Sequence, residues 1–436
     1  MNEFTHDPRE HIRGIHQIFI SDKKRIGFLF GAGTSFGTGL SSVQIPKIAE
    51  MTALVVATLE KISPKIKTAL QGIKKEIEAK KEIEGNQFNI ESLLSSIEAK
   101  REVIGAGVLN GLNADDFADL VTSVKKQVLT LVSIHKNLDE AENIQKLAHS
   151  KVASWISKAR RVFPAEIYTT NYDYFFEIAL EHLDIAYFDG FSGSYEPFFC
   201  SEAVEDLEAY KQLVKLWKLH GSLGWRRREK DGAVIKDKTA KAEDLMIFPS
   251  YLKYNNSKKQ PYVGLIDRLC TFLQQDDAVL ITCGYSFSDR HINERIATSL
   301  RRGGNSHVIA MYYDEFNDAK KKVGYGLADP TNNVRKMATH ETSGKMSVYG
   351  IRQAVIGGKF GEWKLSAEPR SDEAIKVSQY FDEDASTPSA AAGEHKGDEK
   401  WEGTGKFVLS DFRRLAEFLD SLAPGIDSDK AKSNET

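Results

Sequence analysis

The run Arg25-Ile-Gly-Phe-Leu-Phe-Gly-Ala-Gly-Thr-Ser35 limits the folds open to this chain more than any other stretch. An apolar strand that runs straight into Gly-Ala-Gly brings bare backbone amides up to a ligand, and the ligand that best suits such a turn is a dinucleotide pyrophosphate. Three further segments follow an apolar or β-branched run in the same way: Tyr168-Thr-Thr-Asn-Tyr-Asp173, Lys218-Leu-His-Gly-Ser222 and Cys283-Gly-Tyr-Ser-Phe-Ser-Asp289. Four polar turns at strand ends are what an open α/β sheet needs to surround a ligand at its carboxyl edge.

The order of elements agrees with an α/β class. Residues 9–24 place Ile12, Ile15, Ile18 and Phe19 at helical spacing ahead of a strand over Ile26–Phe30. From Glu166 apolar runs predict strands at Glu166–Thr170, Val214–Leu219, Leu245–Phe248, Ala278–Cys283 and His307–Tyr313, with a last one near Gln353–Ile356. Helical patterns at Tyr174–Leu183 and Asp289–Arg302 lie between them, as a mostly parallel, Rossmann-like sheet requires. Between Pro46 and Lys158 glycine is sparse and Ala, Lys, Glu, Leu and Ile dominate, which predicts an inserted helical module; one of its helices starts at an Asn89 cap and carries Ile90, Leu93, Leu94 and Ile97 on one face.

The expected organisation is therefore 1–45 for the N-terminal helix, first strand and glycine turn, 46–160 for the helical insertion, 161–365 for the rest of the Rossmann-like domain, and 366–436 for a C-terminal tail. The tail is rich in Ala, Ser, Glu and Asp, a composition that predicts a flexible, mostly disordered tether. It ends in a helix capped by Ser410, with Phe412, Leu415, Phe418, Leu419 and Leu422 as an apolar stripe that must dock on something.

Composition removes several classes of function. At 436 residues and 41% hydrophobic content the chain can build a sizeable core, and domains of about 100–200 residues allow two packed regions. A net charge of −3 with mixed signs gives no field that attracts nucleic acid, and Arg226-Arg-Arg228 reads as a solvated turn. Three scattered cysteines, Cys200, Cys270 and Cys283, make neither a disulfide framework nor a Cys-x-x-Cys zinc site, which fits a reducing cytoplasm and no metal. The N-terminus has no signal-peptide pattern, and no run reaches the roughly 18 apolar residues of a membrane span.

The glycine turn admits three readings. As a dinucleotide fingerprint it is imperfect, because Phe36 stands where a third glycine belongs and Gly37 follows it. As a P-loop it fails, since no Gly-Lys-Ser/Thr closes it. As a nucleophile elbow, Gly33-Thr-Ser35-Phe-Gly37 matches Gly-x-Ser-x-Gly, although on a first strand no earlier strand supplies the oxyanion loop. Asn171 and Asp173 are either ligand groups or helix caps, and Ser286, Ser288 and Asp289 likewise. His220, beside Gly-Ser, has the context of a working imidazole; His11, His16, His149 and His340 read as surface residues.

Together Gly31-Ala-Gly-Thr-Ser35, Thr170-Asn-Tyr-Asp173, His220-Gly-Ser and Gly284-Tyr-Ser-Phe-Ser-Asp289 give a chain that resembles the sirtuin family over about residues 10–360. It is most similar to the bacterial antiphage-defence branch, whose likeness extends to Asn89-Ile-Glu-Ser-Leu-Leu in the insertion. Protein deacetylases of the family carry a zinc ribbon of paired Cys-x-x-Cys motifs, which three lone cysteines cannot supply. The resemblance therefore implies hydrolysis of NAD to nicotinamide and ADP-ribose rather than deacetylation. It implies NAD as substrate against Gly31, Ala32, Gly33, Thr34 and Ser35 for the pyrophosphate, with Thr170 beside them and Gly284, Tyr285, Ser286 and Asp289 towards the adenosine half. Asn171 would hold water or the ribose hydroxyls, Asp173 would orient nicotinamide and the neighbouring loop, and His220 would act as general base. The resemblance also implies homo-oligomers and, for some members, a HerA-like hexameric ATPase partner. The rival classes are an NAD-dependent deacylase, a non-catalytic NAD or ADP-ribose sensor, and a scaffold.

Overall fold

The computed structural model describes residues 4–79, 88–138, 141–237, 260–314, 326–370, 372–373, 375–388 and 399–423. Asp7 accepts the Arg9 amide and Pro8 fills the first helical position, so α1 (Pro8–Ile20) starts where its cap and proline dictate. It leads into β1 (Arg25–Phe30) and the short α2 (Ala32–Phe36). Helices α3 (Ile48–Leu59), α4 (Pro64–Ala79), α5 (Ile90–Val103) and α6 (Ala114–Val132) form the inserted module, and α7 (Ala148–Lys158) returns the chain. Strands and helices then alternate through β2 (Glu166–Thr169), α8 (Phe175–His182), β3 (Val214–Lys218), α9 (Tyr262–Leu273), β4 (Ala278–Cys283), α10 (Arg290–Arg302), β5 (His307–Met311) and β6 (Met346–Tyr349).

These six strands are all parallel and lie in the order β3-β2-β1-β4-β5-β6, the arrangement of a dinucleotide-binding sheet. The strand order reverses between β1 and β4. Register places Phe30 opposite both Cys283 and Thr169, and Thr169 opposite Lys218, so the turns after β1, β2, β3 and β4 leave the sheet level with one another. Two antiparallel strands, β7 (Gln353–Ile356) and β8 (Lys359–Trp363), extend the β6 side, and Thr5–His6 pairs parallel with β8 at its edge. Tyr187–Phe188 borders β3 at the other edge.

Side chains alternate across β1. Phe28 and Phe30 pack with Phe19 of α1, Trp155 of α7 and Phe176 of α8, while Leu29 faces Tyr168, Leu265, Leu269 and Leu280 on the opposite side. The helical module has its own core, built from Leu70, Ile73, Leu93, Leu94, Ile97, Phe117 and Val124. Asn89 caps α5 and exchanges bonds with Ser92 in a capping box. The two ends of the module meet: the Ala148 amide donates to the Thr38 carbonyl at 2.8 Å. Helix α7, which the sequence assigns to the module, packs on the sheet through Val152 and Trp155.

Several expectations need correction. The predicted strand at Leu245–Phe248 lies outside the described residues. Composition places residues after 366 in a disordered tether, yet β9 (Phe381–Glu383) pairs with β10 (Gly405–Phe407), and α11 (Phe412–Leu422) buries Leu415, Phe418 and Leu419 in the same core as Phe19 and Phe28. Low average hydrophobicity concealed a few well-spaced anchors. Helix α11 is capped by Asp411, which accepts the Arg413 and Arg414 amides, and not by Ser410, whose hydroxyl bonds the Phe407 carbonyl. His149 is fully buried against Phe175, Phe176 and Phe412, with both ring nitrogens unpartnered. His11 is half-buried against Tyr349 and Trp363; His340 alone of these is exposed.

Because α11 belongs to the core, Leu419→Ala is expected to cost about 2–5 kcal/mol, read as a lower urea midpoint; an independent tether would leave the midpoint unchanged. Burial pulls the His149 pKa down from 6.5 to about 4. The unfolded chain then takes up a proton that the folded chain refuses, so stability falls as pH drops from 6.5 towards 4. His149→Leu should flatten that acid limb relative to the wild type in urea titrations across the same window.

Candidate functional site

Two turns meet at the point of strand reversal with no side chain between them. The Gly31 amide donates to the Cys283 carbonyl at 3.1 Å, and the Gly33 amide to the Gly284 carbonyl at 2.9 Å. Gly284 has φ +64°, and a Cβ placed on it would stand 2.6 Å from the Thr34 nitrogen. Ala32 and Gly33 are exposed, whereas Thr34 and Ser35 turn inward and are buried. Bare, accessible backbone at the carboxyl edge is a cradle that a side chain would fill.

The turn after β2 is tied into this cradle. The Thr170 amide donates to the Phe30 carbonyl at 3.0 Å, and the Asn171 amide donates to Thr169 Oγ1 at 3.0 Å. Asn171 Nδ2 lies 3.0 Å from the Gly31 carbonyl, 3.0 Å from Thr34 Oγ1 and 2.7 Å from Ser35 Oγ. Ser35 in turn donates to Asp173 Oδ2 at 2.5 Å, while Asp173 Oδ1 accepts the Phe175 amide at the start of α8. Asn171 and Asp173 are 8% and 4% exposed, and their side-chain bonds brace the turn at the carboxyl edge of the sheet. Ser35 has carboxylate and amide partners and lacks the imidazole that takes the serine proton in a Ser-His-Asp arrangement. The nucleophile-elbow reading is therefore set aside.

His220 follows β3, and its Nε2 lies 3.0 Å from Asp289 Oδ2; Asp289 Oδ1 also accepts the His291 and Ile292 amides and so caps α10. Strands β3 and β4 stand three positions apart, a gap of about 14 Å at the usual strand spacing. The His220 side chain and the 284–289 turn together span the carboxyl ends of β2 and β1. Phe287 holds that turn from below: it is buried with φ +55°, and its carbonyl accepts Asn293 Nδ2 at 2.8 Å. Tyr285 also points into the core, donating to Asn293 Oδ1 at 3.0 Å, while Ser286 and Ser288 face outward with their hydroxyls 2.8 Å apart. The four turns thus form one linked ring.

Beneath the ring is a charged pair that the sequence reading passed over. Lys218, 3% exposed, lies 2.9 Å from Glu177 Oε1 and also donates to the carbonyls of Tyr172 and Asp173. Burial pushes the Glu177 carboxyl up, and the Lys218 charge pulls against that shift. The available signal was a lysine at the last position of a strand, Val-Lys-Leu-Trp-Lys, directly before the His220 turn. Among the described residues no group of three His, Cys, Asp or Glu side chains is placed to hold a metal ion.

The segment carrying three of the four turns has a recognised counterpart. Residues 165–329 match the SIR2-like domain family. The SIR2-like match takes in Asn171, Asp173, Lys218, His220, Gly284 and Asp289, and begins after β1 and its glycine turn. No curated protein matches the chain. Among solved structures, a Sir2 homologue in complex with NAD is similar at 14% identity and a TM-score of 0.35, over 72% of this chain and 87% of that one. A Sir2 homologue in complex with ADP-ribose gives 13% identity and a TM-score of 0.32, over 74% of this chain and 93% of that one. Likeness this distant says nothing about chemistry.

The contact between Gly284 and the Gly31–Thr34 backbone makes one prediction. Gly284→Ala adds a Cβ where φ is positive and the nearest atom is backbone, so it should destabilise the protein by more than about 1 kcal/mol, read as a lower melting temperature. An unchanged melting curve would show that the two turns do not depend on their contact.

Proposed function

We propose that this chain is an NAD glycohydrolase that cleaves the bond between nicotinamide and ribose. The observation that carries this reading is the closed ring: exposed Ala32 and Gly33 backbone, Asn171 and Asp173 bonded to Ser35, and His220 bonded to Asp289, all at the carboxyl edge where the strand order reverses. The SIR2-like match supports it.

In this reading the NAD pyrophosphate lies over Gly31, Ala32, Gly33, Thr34 and Ser35, beside Thr170, and the adenosine half reaches Gly284, Tyr285, Ser286 and Asp289. The nicotinamide ring of NAD is itself cationic and leaves as a neutral molecule, so its nitrogen takes the bonding pair without acid help. What the site must supply is stabilisation of an oxocarbenium-like ribose and a placed water. Asn171 orients that water or the ribose hydroxyls, and Asp173 holds the loop against nicotinamide. His220, held by Asp289, accepts the proton of the attacking water. The products are nicotinamide and ADP-ribose.

Such an enzyme drains its own cell, which fits a cytoplasmic role in antiphage defence under the control of an oligomeric state or a HerA-like ATPase partner. A second reading has one observation in its favour. The Asn171 amide is already committed to Gly31, Thr34 and Ser35, as a non-catalytic NAD sensor would need for a rigid pocket.

Purified protein incubated with NAD should release nicotinamide, measured by chromatography, and Asn171→Ala or His220→Ala should lower kcat by about 10²–10⁴-fold while folding normally. Wild-type rates in both folded variants would overturn the role assignment. Calorimetric NAD binding without release would favour the sensor.

A further inference from the structure

We propose that Lys218 is a positioning residue, its buried ammonium group holding the Asn171–Asp173 turn in register with His220; this rests on the hydrolase reading. Lys218 ends β3 two residues before His220, so one short piece of backbone sets both groups. The residue is 3% exposed, and removing an ammonium from water is costly unless every donor finds an acceptor. Here three donors meet three acceptors: the Asp173 carbonyl, the Tyr172 carbonyl at 3.3 Å and Glu177 Oε1 at 2.9 Å. The Tyr174 ring lies to one side, with its centroid 5.5 Å from Nζ.

Two of those acceptors belong to the turn that carries the candidate chemistry. Fixing the carbonyls of Tyr172 and Asp173 fixes the peptide planes on both sides of Asp173. That directs the Asp173 carboxylate up to Ser35 and, through Ser35, the Asn171 amide towards the glycine turn. Glu177 sits on the first turn of α8 and offsets the charge from the far side. A lysine that merely braced α8 against β3 would need Glu177 alone.

The test separates bracing from positioning. Lys218→Met leaves Glu177 buried without its partner, so the informative protein is the double variant Lys218→Met with Glu177→Leu, which removes both charges. The full-length double variant should melt close to the wild type and bind ADP-ribose within about threefold of it, while kcat for nicotinamide release falls by about 10–100-fold, the loss expected when a reacting group is displaced by about 1 Å. A folded double variant that keeps its kcat, or loses ADP-ribose affinity as steeply as kcat, overturns the proposal. Amide hydrogen exchange decides separately from turnover. Protection over residues 170–175 should drop in the double variant while α10 stays protected, and unchanged protection there overturns the proposal. Wild-type protein that binds ADP-ribose yet releases no nicotinamide defeats the hydrolase reading alone, and the exchange result still judges Lys218.

Discussion

The backbone contact between the turns after β1 and β4 is the constraint on which the rest of the site depends. Neighbouring parallel strands normally send their following turns apart at a strand reversal, leaving a crevice between them. In this molecule Gly31, Gly33 and Gly284 let the turns approach until a single added methyl group would collide with main chain. That closeness puts the exposed amides of Ala32 and Gly33 beside the 284–289 turn. It also brings Ser35 within reach of Asn171 and Asp173 from the next strand.

The polar side chains that tie the ring to the sheet, and the lysine beneath it, are buried, and each is bonded. Asn171, Asp173, Ser35 and Lys218 are all under a tenth exposed, and their bonds run to one another, to backbone carbonyls or to Glu177. A network of this kind adds little net stability over an apolar core of the same shape, because desolvation offsets much of its energy. What it fixes is geometry. Apolar packing on the two faces of the sheet, led by Phe28, Phe30 and Trp155 on one side and Tyr168, Trp217 and Phe272 on the other, provides the stability that tolerates it.

Much of this was legible in the sequence where local signals and tertiary context agree. Ala278–Cys283 and Gln353–Ile356 read as strands because their apolar runs are short and bounded by turn residues. Asn89 read as a cap, and Asp289 as either a cap or a ligand group, because each precedes a helical apolar period. The convergence of four strand-end turns followed from their common placement after apolar runs. Met346–Tyr349 and Lys359–Trp363 escaped notice because each is only four or five residues long, with polar or small residues among the apolar ones. The burial of α11, of His149 and of Lys218 depends on partners far away in the chain, and no window of sequence contains both halves of such a contact. His149 is the plainest case: its surroundings come from α8 and α11, and nothing beside it in the chain announces them.

The bond between Thr38 and Ala148 bears on how such a sheet assembles. β1 must pair with β2 across the whole helical insertion, and closing a long loop is an entropic cost met before any strand contact rewards it. The insertion has its own apolar core, centred on Leu93, Ile97, Phe117 and Val124, so its helices gather through contacts within the module. Once gathered, they deliver their two ends to within one hydrogen bond of each other. To the strands on either side, the folded module then behaves as a tight connector rather than a long tether, and the first pairing of the sheet becomes a nearly local event.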